Sequence, residues 1–518
     1  MQLEQNSLPK LRVLDPAENR IIEEIDETPP GEAGRLYENA RTAFESWSAL
    51  PVAERIRYLR KLRHYLAEHM EESIQTVSRD TGKVEVEALM ADLMPVLDAL
   101  QHIEKHAGKI LGREKKPTPI VFFGKKSYVE YMPRGVVLVI SPWNYPLQLA
   151  MIPAISALAA GNTVILKPSE VTPLVGLHIE KVFKEAGFPD NVIQVAHGGK
   201  ELGAALTKGK PDYIFFTGSV RTGQIIQEVA AKDLIPTTLE LGGKDPMIVF
   251  KDANIERAVQ GAIWGAFTNS GQTCMAIERL YVERPIYETF LQKLIGEVNK
   301  LKHGKTKDGD IGSMTFPGQL DIMRVQLEEA LANGAKLATG TPPGKWNTDK
   351  GLYVPPTVVT EVGQDMKIMQ EESFGPLLPI MPFDTEEEAI ALANGTEYGL
   401  NSSIYTSDIA KAERVASKLV SGGVVINDVL ITVANHHLPF GGAKKSGIGR
   451  YHGDEGLRIF THPKAVMVDK GRKDTELPWY PYEGTYPHFK KLFHSMYGRK
   501  RNWIIFAAAF LALMRKKK

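Results

Sequence analysis

Apolar residues recur every three and four positions from Arg41 to Trp47, from Ile56 to Met70 and from Glu72 to His106, a spacing that predicts amphipathic helices. Pro51, with Glu54 in the following turn, marks a helix start, and Pro95 should kink or split the last run. The period then shortens. Ile120–Phe123 and Ser127–Met132 read as two strands joined by a turn at Gly124-Lys125-Lys126. Gly135–Ile140 is an unbroken β-branched run, the pattern of a parallel strand buried on both faces.

From there strands and helices alternate. Strands are predicted at Thr163–Lys167, Val192–Val195, Tyr213–Phe216 and Pro236–Glu240, with helices over Pro173–Ala186 and Gln224–Ala231. Such alternation implies a doubly wound parallel sheet, here Rossmann-like. A second α/β series follows. Its helices are Ile255–Phe267 (N-capped by Asn254), Ile286–Leu301 and Ala410–Leu419, and its strands are Pro379–Phe383 and Val424–Asn427. A last short strand, Ala465–Val468, is expected to pair with the 120s–130s hairpin as a protruding arm.

The length of 518 residues implies several domains, and 43% hydrophobic with 24% charged residues is ordinary for a globular protein. The expected division is residues 1–114 with 134–242 as a dinucleotide-binding domain and 243–454 as a catalytic domain. Residues 115–133 with 455–470 would form an oligomerisation arm, leaving 471–518 as a helical tail. The first 30 residues are polar and acidic and do not read as a secretory signal. A single cysteine rules out an internal disulfide and a multi-cysteine metal site, and fits a reducing, cytoplasmic setting; no metal is expected.

The net charge of +1 conceals an asymmetry: residues 471–518 carry 11 Lys/Arg against 3 Asp/Glu. A basic tail on an acidic body favours an anionic surface, lipid first, and gives no ground for a nucleic-acid partner. Within the tail, Trp503–Met514 is uncharged and flanked by Arg499-Lys500-Arg501 and Arg515–Lys518. As a helix it is about 18 Å long, too short to span a bilayer and suited to lying in the interface. A helix packed on a neighbouring subunit and a disordered end are the alternatives. Phe489, Leu492, Phe493 and Met496 predict a short amphipathic helix just before it.

Several stretches carry candidate chemistry. The lone Cys274 follows Asn269-Ser270-Gly271-Gln272-Thr273, which reads as a partly exposed loop; its thiol is a nucleophile if something takes its proton and an inert core group otherwise. Thr217–Gly223 lies between a strand and a helix, with Ser219 as N-cap, where free N–H groups suit a phosphate. Its spacing, G-S-x-x-x-G, also fits an ordinary βα turn. Lys167-Pro168-Ser169-Glu170 ends a strand at the edge where α/β ligands bind. Lys167 and Glu170 there suit ribose hydroxyls, or simply a solvated strand end. In Pro142–Pro146 the amide of Asn144 is a donor suited to an oxyanion, or part of a tight turn. Glu240, followed by two glycines, suits a general base or a capped strand end. Glu372 and Phe374, in Glu371–Pro376, suit a ribose contact and a ring wall, or an acidic surface loop. The Gly-rich Pro439–Gly442 and Lys445–Arg450 read as structural.

In this order the motifs PWNYP, KPSE, FTGS, ELGGKDP, GQTC, EESFGP, PFGG and SGIGR resemble the aldehyde dehydrogenase superfamily over roughly residues 35–470. The resemblance implies that Cys274 attacks an aldehyde, that its own N–H and Asn144 hold the oxyanion, and that hydride passes to a nicotinamide. Glu240 would then activate the water that hydrolyses the thioester. It implies NAD as cofactor, with NADP left open because the acidic Glu170 disfavours a 2′-phosphate without excluding it. Lys167 and Glu170 would contact the adenosine ribose, and Gly218, Ser219 and Gly223 the pyrophosphate. Trp143, Leu241, Glu372 and Phe374 would complete the cofactor site. His436–Gly442, Gly449–Gly453 and Trp479–Tyr482 look like the class-3 and fatty aldehyde dehydrogenases or the related coniferyl aldehyde dehydrogenases. Fatty aldehyde dehydrogenases carry a C-terminal membrane anchor. The expected substrate is therefore a medium or long-chain aldehyde, with an aromatic aldehyde as the alternative. The expected assembly is a homodimer that touches membrane peripherally through residues 499–518. A CoA-acylating enzyme fits less well, because a water-activating base would waste the thioester. A non-catalytic binding protein would have no use for Cys274, Glu240 and Asn144 together.

Overall fold

The computed structural model describes residues 10–304, 309–346 and 348–516. The chain divides into two compact units. One comprises the residues through Gly112 with 130–464, the other 113–129 with 465–518.

The first unit holds two large sheets. Six strands form one, in the order Gly447–Ile448, Thr237–Glu240, Tyr213–Thr217, Val136–Ile140, Thr163–Lys167, Ile193–Val195. All its pairings are parallel except that of Gly447–Ile448 with Thr237–Glu240. The apolar run Val136–Ile140 is buried along its whole length at the sheet centre, as a continuous β-branched strand should be. The chain leaves it to one side for Thr163–Lys167 and later returns on the other side as Tyr213–Thr217. This reversal of strand order is the switch point where α/β proteins bind ligands, at the carboxyl ends of the strands. Those ends carry Ser141–Tyr145, Lys167–Glu170, Gly218-Ser219 and Glu240.

Seven strands form the second sheet, in the order Lys336–Leu337, Thr357–Thr360, Leu377–Phe383, Ile277–Glu283, Asp245–Val249, Asn401–Tyr405, Gly423–Ile426. It is parallel apart from its Lys336–Leu337 edge. Cys274 and Phe374 lie immediately upstream of Ile277–Glu283 and Leu377–Phe383, and Gly242-Gly243 immediately upstream of Asp245–Val249. The second sheet thus supplies site residues from the amino ends of its strands, the first from the carboxyl ends.

The apolar run around Pro95 is divided into helix Met70–Thr81, a widened turn at Ala88–Leu93 and helix Met94–Ile110. Pro95 sits in the first turn of the last helix, where its missing N–H costs nothing. Two expectations fail locally, and one hairpin has no counterpart in the sequence pattern. Ile120–Phe123 is not a strand: Ile120–Phe122 is a 3-10 turn whose Phe122 N–H donates to Pro119. Pro117 and Pro119 remove ladder donors there, and Lys126–Pro133 pairs instead with Glu114–Lys116. Thr461–Val468 joins that pair as a third strand. The polar N-terminal stretch contains a hairpin, Lys10–Asp15 with Arg20–Asp26, which buries Val13 and Ile25 but no continuous apolar stripe. The stretch before Cys274 is no exposed loop: Asn269, Ser270, Gln272 and Thr273 are buried, and only Cys274 is half-buried.

In the second unit, helices Tyr486–Tyr497 and Trp503–Lys516 pack together through Leu492, Phe506, Ala509 and Leu513. Trp503, Ile504, Ile505 and Leu511 of the last helix are exposed. Among the described residues no helix is long and apolar enough to cross a membrane. The terminal Lys517 and Lys518 lie outside the described residues.

Candidate active site

Two cavities meet at Cys274. One, of about 350 Å³, is walled mainly by Val86, Met90, Met94, Leu149, Trp264, Leu430, Ile431 and Phe440. The other, of about 200 Å³, is lined by Trp143, Asn144, Gly218, Ser219, Glu240, Leu241, Glu372 and Phe374. Cys274 lines both. Residues scattered over 232 positions of sequence, from Trp143 to Phe374, therefore share one hollow.

A strained turn presents the thiol. Asn269, Ser270 and Gly271 are consecutive left-handed residues, with φ of 52°, 56° and 73°. For the two non-glycines this conformation costs about 1–3 kcal/mol each and must be held by its surroundings. Ser270 Oγ donates to the Gly312 carbonyl at 2.9 Å. Asn269 Nδ2 donates to the carbonyls of Asn144 (3.0 Å) and Gln272 (3.1 Å). Gln272 closes the set, donating through Nε2 to Asn269 and accepting from the Thr315 N–H.

Asn144 is fixed to the same turn. Its Nδ2 donates to the Gln272 carbonyl at 3.0 Å, leaving one amide hydrogen for another acceptor. The backbone behind it rests on a buried pair unsuspected from sequence. Lys83 Nζ donates to Asp92 Oδ2 (2.6 Å) and to the Asn144 carbonyl (2.8 Å), while Asp92 Oδ1 accepts from Leu147 N–H (3.1 Å). Asp92 thus caps helix Pro146–Ala159, whose first turn would otherwise leave buried donors unpaired.

Glu240 ends strand Thr237–Glu240 and is 4% exposed, yet neither carboxylate oxygen has a hydrogen-bond partner. Burial pushes its pKa well above the carboxylate range, opposed by the Arg450 guanidinium. Burial likewise pushes the Cys274 thiol up, helped by the carboxylates of Asp245, Glu372 and Glu240. A thiol and a carboxyl group thus line one cavity, both biased toward their neutral forms.

Glu372 accepts from the Gly243 N–H at 2.9 Å. Burial first, then the Glu278 carboxylate, raises its pKa to about 8. A Cβ on Gly242 would fall 2.4 Å from the Glu372 carboxylate, so a larger residue there would displace the acid from this position. Phe374, itself left-handed at φ 50°, is held by Glu278, which accepts from the N–H groups of Ser373 (2.7 Å) and Phe374 (2.8 Å). Glu278 in turn pairs with the buried Lys244 at 2.7 Å. The Phe374 ring meets Trp143 edge-on at 5.4 Å.

Ser219 N-caps helix Val220–Lys232, accepting from Thr222 N–H, so the helix start faces the smaller cavity with further free donors. Gly223 packs so close to Leu241 that a Cβ would lie 2.6 Å from its Cδ2. Lys167 and Glu170 stand off this lining at the neighbouring strand end, where Lys167 Nζ donates to Glu170 at 3.0 Å.

A match to the model of the aldehyde dehydrogenase family covers residues 3–466. The chain belongs to the aldehyde dehydrogenase family. Among its relatives, a 4,4'-diapolycopene aldehyde oxidase of Methylomonas sp is 42% identical over 94% of this chain and 91% of the relative. A betaine aldehyde dehydrogenase of Vibrio vulnificus is 36% identical over 89% of this chain and 95% of the relative. Among solved structures, betaine aldehyde dehydrogenase from Staphylococcus aureus in complex with NAD+ superposes with a TM-score of 0.86 at 35% identity, covering 93% of this chain and 95% of that one. The NAD+ complex of an aldehyde dehydrogenase from Bacillus cereus gives 0.85 at 36% identity, covering 89% and 94%. The expected doubly wound architecture with a second α/β region is the fold of this aldehyde dehydrogenase.

Proposed function

We propose that this aldehyde dehydrogenase oxidises long, apolar aldehydes to carboxylic acids with NAD, using Cys274 as nucleophile, Asn144 as oxyanion donor and Glu240 as general base. The observation that carries the reading is the position of Cys274 between an apolar cavity and a second one that contains Glu240, Glu372 and Ser219. The second cavity suits the nicotinamide half of a dinucleotide. It offers a capped helix start for the pyrophosphate, the half-buried Glu372 for a ribose hydroxyl, and Phe374 with Trp143 as a ring wall. Lys167 and Glu170 suit the second ribose, and the acidic Glu170 disfavours a 2′-phosphate there.

The aldehyde enters the apolar cavity and its carbonyl carbon bonds to Cys274 Sγ, the thiol proton leaving to a base. The oxygen becomes an oxyanion within reach of the free amide hydrogen of Asn144, held in place before the reaction begins. NAD, when bound, supplies the hydride acceptor that turns the thiohemiacetal into a thioester. Glu240, with two unpartnered oxygens and a raised pKa, then takes a proton from water as it attacks the thioester. The acid departs and Cys274 regains its thiol.

The wall of Val86, Met90, Met94, Leu149, Leu430 and Phe440 supports an apolar chain. So does the name of the 42% identical relative, an oxidase of a polyene aldehyde. Betaine aldehyde is the competing substrate, and Glu87 is the one acidic group in that wall. Burial pushes Glu87 toward its neutral form, which favours a quaternary cation poorly. A series of aldehydes from acetaldehyde to decanal and longer, assayed with NAD and with NADP, tests this. Rising kcat/KM with chain length and a preference for NAD are expected; a preference for betaine aldehyde would overturn the substrate reading.

The tail supports work at a membrane surface. Its exposed Trp503, Ile504, Ile505 and Leu511 lie among the basic residues flanking the helix, the arrangement of an interfacial anchor. The protein should pellet with anionic vesicles and fail to do so when truncated at Arg499. The three-stranded sheet Thr461–Val468, Lys126–Pro133, Glu114–Lys116 supports a homodimer, and light scattering should report twice the chain mass.

A further inference from the structure

Two of the chain's 13 histidines, His102 and His106, stand four residues apart on helix Met94–Ile110, and His437 approaches them from the loop before Pro439. One ring nitrogen from each lies within 4.8 Å of the other two. Ring centroids are 4.7 Å apart for His102–His106 and for His102–His437, and 5.3 Å for His106–His437. Among the described residues no other trio of histidine, cysteine or acidic side chains comes so close. Imidazoles do not cluster for packing: each brings polar nitrogens that need partners. The Nε2 of His102 is buried and has none. His436 is spoken for differently, its Nε2 lying 3.1 Å from the Pro95 carbonyl. The trio opens into a hollow of about 440 Å³ that also contains Asp98 and Lys105, whose ammonium donates to Gln101.

We propose that His102, His106 and His437 form a three-histidine site for a borderline divalent transition ion of the zinc, nickel or copper class. Two histidines at i and i+4 present their rings on one helix face, the spacing that lets a helix chelate such an ion. Imidazole is a preferred ligand of that class, and calcium or magnesium would find no oxygen cage here. In a tetrahedral site with metal–nitrogen bonds of about 2.0–2.1 Å the ligand nitrogens stand roughly 3.3 Å apart, so closing the trio takes side-chain shifts of about an ångström. The fourth position faces the hollow and is left for water.

The site has a consequence for the enzyme. Ile431 and Ala434 line both the histidine hollow and the apolar cavity that leads to Cys274. An ion bridging His437 to helix Met94–Ile110 ties the loop bearing Ile431 and Ala434 to that helix, and so fixes one wall of the aldehyde cavity. Occupancy regulates access of bulky aldehydes; the chemistry at Cys274 does not involve the ion. This consequence rests on the substrate cavity proposed above; the ion site itself does not.

The test uses the full-length, tag-free protein in a Cys274→Ser background, which removes the thiol as a competing ligand. Zinc binding is followed by titration calorimetry, and copper binding by the nitrogen splitting of its electron paramagnetic resonance spectrum. One zinc per chain is expected in the micromolar range. His106→Ala and His437→Ala should each weaken it by about tenfold or more and remove nitrogen splittings. His437 is exposed, so His437→Ala keeps its melting temperature and remains a fair test if His106→Ala misfolds. No binding in the parent, or binding undiminished by His437→Ala, overturns the site. Zinc binding without any zinc effect on long-aldehyde KM in the enzyme that retains Cys274 would leave the site standing and overturn its regulatory role.

Discussion

The side-chain amide of Asn144 donates to the backbone carbonyl of Gln272 at 3.0 Å, tying the proposed oxyanion donor to the turn that carries Cys274, two residues on. The hydrogen bond fixes the second amide hydrogen in space before substrate arrives. Asn144→Ala removes both the donor and the tether. Losing one preorganised oxyanion donor lowers kcat by about 10²–10³-fold. Stopped-flow measurement of NADH formation should show the loss in the first turnover, with alkylation of Cys274 by iodoacetamide still measurable.

Lys83 and Asp92 should matter for stability as much as for geometry. Both are buried, at 1% and 0% side-chain exposure, and each holds the backbone of the Asn144 segment through a further bond. Lys83→Met leaves an uncompensated buried carboxylate and should cost about 3–5 kcal/mol. Lys83→Met with Asp92→Leu removes both charges and should recover part of that loss. Urea denaturation of the four proteins in the cycle measures the coupling; a double variant less stable than Lys83→Met would show that the pair is not the cause.

What could be read from the sequence was whatever depends on strand order. Val136–Ile140 and its parallel neighbours announce themselves by unbroken apolar runs, and ligands of doubly wound sheets bind at the strands' carboxyl ends; the candidates Asn144, Lys167, Ser219 and Glu240 come from that rule. Glu372 and Phe374 do not follow from strand order; only their motif, Glu371–Pro376, marked them as candidates. Their loop is placed by Glu278 and Lys244, a buried ion pair 34 residues apart whose meeting no local pattern encodes. Lys83 was invisible for the same reason, a lysine in a polar stretch. The turn at Asn269–Gly271 looked exposed because its residues are small and polar. Their polarity is instead satisfied internally, by hydrogen bonds to Gly312, Asn144 and Gln272. The hairpin Lys10–Asp15/Arg20–Asp26 escaped detection because it buries too few apolar side chains to show a period.

Gly242 reports on the fit of Glu372. An added Cβ would sit 2.4 Å from the Glu372 carboxylate, so the carboxylate must swing aside, into the cavity it lines. Gly242→Ala should therefore push Glu372 out of its position and raise KM for NAD while thermal stability falls only modestly. Fluorescence titration with NADH checks the binding directly. Unchanged affinity would remove Glu372 from the cofactor site.

Glu240 joins the pH dependence of the reaction to that of folding, with opposite signs. In the proposed mechanism hydrolysis of the thioester needs the carboxylate, and burial holds its pKa well above the ordinary value. The rate of acyl-enzyme breakdown should therefore rise with pH from the acid side and level off only above that raised pKa. Folding runs the other way. In the unfolded chain the group ionises near its ordinary value of about 4.3. Between that value and its folded pKa the unfolded state binds fewer protons, so raising the pH favours unfolding. Glu240→Gln abolishes both effects. It should accumulate acyl-enzyme, seen as a burst of NADH followed by a slow steady state, and it should gain stability over the parent progressively as pH rises through neutrality. Melting temperatures of the two proteins across that range, set beside single-turnover kinetics, test the pair of claims. A parent as stable as Glu240→Gln at every pH would show that the orphaned carboxylate carries no folding penalty, and a steady-state rate equal to the parent's would remove Glu240 as the base.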